Sequence, residues 1–340
     1  MHKKDSSRSP ERRRVDVALA LQGGGAAGAF TWGVLDSVLD RGVRIEAISG
    51  ASAGAVNAVL VADGLIDGGP DGAREKLVCF WRKASDLMPP GSTSATLAAL
   101  QALDGVALRP SPSLLNPFGF DPLRDLLRDT IDFARLRRES PVGLFISATR
   151  VRDGVARIFR TDEVTLEVLM ASARLPQLHN AIEIEGEAYW DGGYSANPPV
   201  IELVRATTAP NILVVELSSP SSTAAPTTGR DIERRLRDFA LGASLQRELE
   251  MLSELQAICD AEPGAQSPFA RRLRALRVDR ISAQAVLGHA PPANALDLSW
   301  PELTRLADAG RGAAVQWITD RAAKSPPHQP DAALRGPRAS

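Results

Sequence analysis

Ser52 is the first residue whose surroundings suggest chemistry, because it lies in the pentapeptide GASAG between Gly50 and Gly54. In the Gly-x-Ser-x-Gly pattern a serine occupies a sharp turn between a strand and a helix, with its hydroxyl exposed. The small neighbours let the turn pack tightly, and free amides at the start of the helix favour nearby negative charge. The pattern predicts that Ser52 is a nucleophile, unless it is an incidental serine in a small-residue turn.

A glycine-rich turn precedes this serine and follows an apolar segment that reads as a strand. Glycines permit positive φ and let a ligand approach the backbone closely. The start of the next helix also favours an anion. The turn therefore suits a phosphate or the oxyanion that develops during acyl transfer, and its residues are Gly23, Gly24, Gly25, Ala26, Ala27 and Gly28.

An aspartate followed by two glycines, Asp191, Gly192 and Gly193, closes a strand-like segment later in the chain. A carboxylate held in such a turn at a strand end can face a neighbouring loop and accept a proton. Asp-Gly is also a common pair in ordinary turns, so this motif is informative only together with the other two.

Two other interpretations of these residues can be compared with acyl transfer. The glycine spacing fits a dinucleotide-binding turn, which needs an acid at the end of the second strand. Glu46 is near the required distance but lies at the beginning of that strand, and the serine turn occupies its end. Ser52, Asp191 and His289 also follow the chain order of a hydrolase triad. Since only one strand comes before the strand that leads into the serine turn, and the sequence around neither His289 nor His179 marks a catalytic residue, we prefer an arrangement without histidine.

Composition excludes several classes of protein. The net charge of −1 over 340 residues argues against a general nucleic-acid binder. Two cysteines and four scattered histidines favour neither a disulfide scaffold nor a metal site, so we expect no metal and no cofactor. No apolar run reaches the length of a membrane-spanning helix, and no signal peptide is recognised. We therefore expect a cytoplasmic protein.

Strand-like and helix-like segments alternate along the chain, which predicts an α/β fold with a mainly parallel sheet and helices on both faces. We divide the chain into a disordered basic arm (1–14), a catalytic core (15–220), a C-terminal helical extension packed on the core (221–323) and a disordered tail (324–340). Within the core, residues 89–120 form an irregular, lid-like segment. It offers four candidate acyl-chain contacts, which could equally cover a core edge: Leu114, Leu115, Phe118 and Phe120.

Together, GGGAAG, GASAG and DGG in this order resemble the patatin-like phospholipase family. The resemblance runs from Val15 to Leu217 and includes ASARLPQ before the acid and Asn197-Pro198-Pro199 after it. It implies a three-layer α/β fold, a serine nucleophile with an aspartate as its only catalytic partner, and an oxyanion hole formed by the glycine turn. Many relatives have arginine or lysine where this chain has Ala27, which places oxyanion stabilisation on backbone amides alone.

The resemblance implies hydrolysis of fatty-acyl esters of phospholipids or related lipids through an acyl-enzyme. Alternatives are an esterase with a Ser-Asp-His triad and a catalytically silent lipid-binding protein of the same fold. The expected partner is a lipid ester. The basic arm adds weak, peripheral contact with an anionic membrane surface such as the inner face of the cell membrane.

Overall fold

The computed structural model describes residues 16–87, 121–218, 225–264, 267–288 and 297–324. Its centre is an eight-stranded sheet with the order β5-β6-β3-β2-β1-β7-β8, and β4 pairs with β3 beside this path. The strands are β1 (Asp16–Leu21), β2 (Arg44–Gly50), β3 (Gly143–Arg150), β4 (Ala156–Arg160), β5 (Ile182–Ile184), β6 (Glu187–Asp191), β7 (Asn211–Glu216) and β8 (Arg277–Ser282).

Most of the sheet is parallel. β3, β2, β1, β7 and β8 pair in parallel with one another, whereas β4, β5 and β6 are joined by antiparallel pairings at one side. Parallel strands covered on both faces are almost continuously apolar, and residues 17–21 of β1 and all of β7 are buried accordingly. The predicted α/β fold with a mainly parallel sheet is confirmed.

Helices cover both faces of the sheet. They are α1 (Gly28–Asp40), α2 (Ala53–Asp86), α3 (Pro122–Thr130), α4 (Phe133–Glu139), α5 (Leu166–Ser172), α6 (Val200–Ala206), α7 (Gly229–Ala261), α8 (Pro268–Ala275), α9 (Ala283–Leu287) and α10 (Trp300–Lys324). Two residues, Gly68 and Gly69, interrupt α2 with non-helical backbone angles.

The alternation of side chains along the strands separates two apolar layers. Leu19 of β1 packs in the cluster that contains α1, α2 and α10. Its neighbours Ala18 and Ala20 face the opposite cluster, which contains α6, α7 and α8. Successive side chains of a strand point to opposite faces, so this register gives three layers, with the sheet in the middle.

Residues beyond 220 complete the sheet as well as covering it. β8 pairs in parallel with β7 along its whole length, and α10 crosses α1 closely. A Cβ atom added to Gly33 would lie 1.8 Å from the carbonyl oxygen of Ala307, and one added to Gly310 would lie 2.1 Å from that of Phe30. The region expected to be a helical extension therefore also supplies an edge strand.

Several sequence-based expectations fall outside the described residues. They are the basic arm at 1–14, the irregular segment at 89–120 with its candidate acyl-chain contacts Leu114, Leu115, Phe118 and Phe120, and the tail beyond Lys324. Within the part of the chain that the structure describes, no helix combines the length and apolar character needed to cross a bilayer.

Candidate active site

The pairing of β3 brings the acid towards the serine. β2 pairs with β3 as far as Ile146, and β6 pairs with β3 from Ala148 onwards. β4 pairs with Phe145–Thr149, a range that overlaps both of these pairings, so it must occupy the other edge of β3. β2 and β6 therefore share one edge of β3 and meet end to end, which carries Asp191 at the end of β6 to the turn that follows Gly50.

Ser52 occupies a strained backbone conformation, with φ of 52° and ψ of −126°. Non-glycine residues adopt such angles only where their surroundings enforce them, commonly at functional sites. Here the Ser52 N–H donates to both the carbonyl oxygen and the hydroxyl of Ser172, at the end of α5, each at 3.1 Å. The predicted sharp turn is present, and Ser172 is a supporting residue that the sequence did not reveal.

The glycines on either side of Ser52 are required for close packing. A Cβ atom at Gly54 would lie 2.1 Å from the carbonyl oxygen of Leu21, at the end of β1. One at Gly50 would lie 2.7 Å from the backbone nitrogen of Ala55, inside the turn itself. Any larger residue at either position would push the serine turn away from the sheet.

The glycine turn lies directly against the serine. A Cβ atom at Gly23 would lie 2.7 Å from the Cβ of Ser52, and one at Gly28 would lie 2.7 Å from the Cβ of Ala53. Asn57 of α2 reinforces this contact by donating its side-chain amide to the carbonyl oxygen of Gly28 at 2.9 Å. The starts of α1 and α2 are thereby held together.

Only part of the glycine turn has amides available for an anion. The Gly23 N–H donates to Oδ1 of Asn197 at 2.7 Å, and the N–H groups of Ala27 and Gly28 bond back within the turn. Among the described residues, three successive N–H groups have no acceptor: those of Gly24, Gly25 and Ala26. They precede α1, whose dipole favours negative charge at this end.

Asp191 is buried, with 1% of its surface exposed. Its Oδ1 accepts the Gly193 N–H at 2.7 Å, and its Oδ2 has no hydrogen-bond partner among the described residues. Burial raises the pKa of this carboxyl from 3.8 to about 7, and the Gly193 amide and the Ser52 hydroxyl partly oppose the rise. The hydroxyl thus interacts with the carboxyl short of a full hydrogen bond, as is common in unliganded sites.

The two glycines after Asp191 hold the acid loop on the sheet. A Cβ atom at Gly192 would lie 2.2 Å from the carbonyl oxygen of Ser147 on β3, which leaves no space for a side chain. Thr149, also on β3, donates its hydroxyl to the carbonyl oxygen of Asp191 at 2.7 Å. The main chain that carries the carboxyl is therefore held against β3, by the close approach of Gly192 and by the hydrogen bond from Thr149.

Asn197 joins the parts of the site, a role that the sequence analysis did not assign to it. Its side chain is buried, and while Oδ1 holds the Gly23 amide, Nδ2 donates to the carbonyl oxygen of Leu241 on α7 at 2.7 Å. Its own N–H donates to the hydroxyl of Ser244 at 3.1 Å. The signal was present, since Asn197 follows the acid loop in the segment that supported the resemblance.

The described residues do not bring a histidine to this pair. His179 is partly buried, and its pKa is lowered by burial and by Arg174; neither Ser52 nor Asp191 is among the groups that shift it. His289, the other triad candidate, lies outside the described residues. Nor do those residues contain a cluster of three acidic, histidine or cysteine side chains suited to a metal ion.

Comparison with known proteins gives one family and several remote structural likenesses. No curated protein matches the sequence significantly. VipD from Legionella pneumophila is 16% identical with a TM-score of 0.43, and the alignment covers 89% of this chain and 66% of VipD. The ExoU–SpcU complex of Pseudomonas aeruginosa gives 16% identity, a TM-score of 0.30, and coverage of 91% and 76%.

The family model for patatin-like phospholipases matches residues 19–204. This match covers more than half of the chain and includes the glycine turn, the Ser52 turn, the Asp191 loop and Asn197. The chain therefore belongs to the patatin-like phospholipase family.

Proposed function

We propose that the protein is a serine lipid acyl hydrolase that cleaves fatty-acyl esters of phospholipids or related lipids through a Ser52–Asp191 dyad. The observation that carries this proposal is the approach of a serine in a strained turn to a buried carboxyl whose pKa is raised to about 7. Three amides of the glycine turn, which have no acceptor among the described residues, precede α1, the helix that packs against the same serine turn. This combination provides a nucleophile, a base and an oxyanion site.

In the first half of the reaction, Asp191 accepts the hydroxyl proton while Ser52 attacks the ester carbonyl carbon. The carbonyl oxygen becomes an oxyanion that the N–H groups of Gly24, Gly25 and Ala26 stabilise. One such donor contributes about 2.7–4 kcal/mol to the transition state. The tetrahedral intermediate collapses, the alcohol leaves with the proton from Asp191, and the acyl group stays on Ser52.

In the second half, water replaces the alcohol. Asp191 removes a proton from the water molecule while the water oxygen attacks the acyl carbon, and the same amides stabilise the oxyanion. The intermediate then collapses, and Ser52 takes the proton back from Asp191 as the fatty acid leaves. A carboxylate is ordinarily a weak base at neutral pH. Burial moves the pKa of Asp191 towards the working pH, where general-base catalysis is most efficient.

Ala27 leaves the oxyanion site without a cationic side chain at that position. Its methyl group is buried in the layer that contains α1 and α2, and its N–H bonds back within the turn. Of the six residues expected to form the oxyanion hole, the proposal keeps only Gly24, Gly25 and Ala26 as hydrogen-bond donors. Contacts of the acyl chain with Leu114, Leu115, Phe118 and Phe120 remain part of the proposal.

The test is covalent labelling with a fluorophosphonate, followed by hydrolysis of a short p-nitrophenyl ester and of phospholipid vesicles. Wild-type protein should label at Ser52 and hydrolyse both substrates, and Ser52→Ala should do neither. Ser49→Ala is the matched control, because Ser49 is a fully buried serine on the same strand and turn unit and should keep both activities. Full labelling of the Ser52→Ala variant, or a wild type without esterase activity, would contradict the dyad.

A further inference from the structure

Helix α7 is much longer than the sheet that it covers. Its 33 residues span about 50 Å at 1.5 Å per residue, whereas a six-residue strand such as β7 spans about 20 Å. The apolar side chains of α7 that pack on the sheet come from its later part, with Leu245 and Leu252 buried. Among the described side chains from 229 to 240, none is buried. The first third of α7 therefore projects beyond the sheet.

The projecting end is next to the candidate active site. β7 and β8 are parallel, so the segment between them starts at the carboxyl edge of the sheet, where β1 and β2 lead into the glycine turn and the serine turn. Just after the projecting segment, Leu241 accepts a hydrogen bond from Asn197. The side chain of Leu241 also lies 3.1 Å from the position of a Cβ on Gly193.

The projecting segment has its large apolar side chains on the outside. Ile232, Leu236 and Phe239, which we name the α7 stripe, are 44%, 60% and 44% exposed. Their spacing of four and three residues places them on one face of the helix, about half a turn from the face that buries Leu245. This pattern is the reverse of an ordinary surface helix, whose apolar face points towards the core.

Basic and apolar groups are combined on this segment. The guanidinium of Arg235 lies over the ring of Phe239, with its central carbon 4.4 Å from the ring centroid. The segment also carries Asp231, Glu233 and Asp238, but the charged group of Arg235 packs directly on the stripe. A basic group beside exposed apolar side chains suits a lipid interface, where apolar side chains lie among the acyl chains and basic groups lie at the phosphates.

We propose that the α7 stripe docks on a phospholipid surface and thereby brings the dyad site to the lipid headgroups. This inference rests on the proposed function, because the family and the dyad make a membrane lipid the substrate. It assigns lipid contact to a segment different from the basic arm at 1–14 and from the irregular segment at 89–120. The competing occupant is a second copy of this chain, which would cover the stripe in a dimer.

The experiment measures co-sedimentation with vesicles of phosphatidylcholine and phosphatidylglycerol in the Ser52→Ala background. This background needs no turnover, so failure of the proposed chemistry leaves the binding result interpretable. Replacing the stripe by serine, I232S/L236S/F239S, should weaken partitioning at least about tenfold, since burying one large apolar side chain is worth about that factor. Salt should weaken binding of the unsubstituted stripe only in part.

A matched control comes from the same helix. M251S/I258S replaces two side chains that are 45% and 56% exposed, but on the part of α7 that lies over the sheet, and it should keep full vesicle binding. Circular dichroism and the unfolding temperature establish that each variant is folded. If the triple variant unfolds, Leu236→Ser alone, at the most exposed position of the stripe, takes its place. We expect this single variant to partition severalfold less onto the vesicles.

Three outcomes would overturn the proposal. Equal partitioning of the stripe variant and its parent would show that the stripe does not contact lipid. Equal loss in the stripe variant and in the control would show a general effect of surface apolarity. A parent that sediments as a dimer, and a stripe variant that sediments as a monomer with unchanged vesicle binding, would assign the stripe to a second copy of the chain.

Discussion

Replacing Asp191 by asparagine should abolish activity and change the pH dependence of stability in a calculable way. The unfolded chain ionises this carboxyl near pH 3.8, whereas burial delays ionisation in the folded protein to about pH 7. Between these two values the folded state holds a proton that the unfolded state has released. Wild-type stability that is present below pH 3.8 is therefore lost as the pH rises, and the loss is complete above about pH 7.

The magnitude follows from the two pKa values. Between pH 5 and about pH 7, Asp191 is ionised in the unfolded chain but protonated in the folded protein. Over these two pH units the free energy of unfolding falls by about 1.36 kcal/mol per unit, which amounts to about 3 kcal/mol by pH 8. The asparagine side chain of the variant does not ionise, and its oxygen can still accept the Gly193 N–H. The stability of Asp191→Asn relative to wild type should accordingly rise by about 3 kcal/mol between pH 5 and pH 8, whatever its value at pH 5.

The measurement is urea unfolding of both proteins at pH 5 and pH 8 in the same buffer series. Ser52→Ala is the matched control, because it is equally inactive by our proposal but keeps the buried carboxyl, and it should follow the wild-type pH dependence. If the difference in free energy of unfolding between Asp191→Asn and wild type stays constant from pH 5 to pH 8, the raised pKa of Asp191 and the argument from burial are refuted.

The remaining predictions concern the base, the framework and the histidine. Wild-type kcat/KM for a soluble ester should rise with pH through about 7 as Asp191 ionises; a flat profile from pH 5 to 8 would assign the base elsewhere. Asn197→Ala frees the Gly23 amide and should lower kcat by about 10- to 100-fold with little change in KM, so a change confined to KM would argue against a positioning role. Gly54→Ala should prevent folding, judged by circular dichroism, because its Cβ would lie 2.1 Å from a backbone oxygen. His179→Ala should keep most esterase activity, and a thousandfold loss in the folded variant would restore the triad.

Local patterns in the sequence predicted the elements around the site. An apolar run ending in glycines predicted β1, and GASAG at a strand–helix junction predicted the turn in which Ser52 now shows a φ of 52°. Such motifs are readable because their geometry depends on residues within a few positions of one another. The order and type of the elements were sufficient to predict a mainly parallel sheet.

Other features depend on contacts between distant segments. The end-to-end meeting of β2 and β6 on one edge of β3 decides that Asp191 faces Ser52, and no local pattern encodes that pairing. The hydrogen bond from Gly23 to Asn197 decides that the first amide of the glycine turn is occupied. Similarly, only the packed structure shows that α7 extends past the sheet with Ile232, Leu236 and Phe239 outward.

The sequence by itself therefore determined the chemical groups of this protein: a serine in a sharp turn, a carboxyl in a glycine loop and the backbone amides of a glycine-rich turn. The tertiary structure decided their properties. Burial raises the pKa of Asp191 to about 7 because desolvation disfavours a charged carboxylate, and burial results from the packing of the whole sheet and its helices. Residue type sets the chemistry that is available, and the surroundings assembled from distant parts of the chain set its pKa, its orientation and its access to substrate.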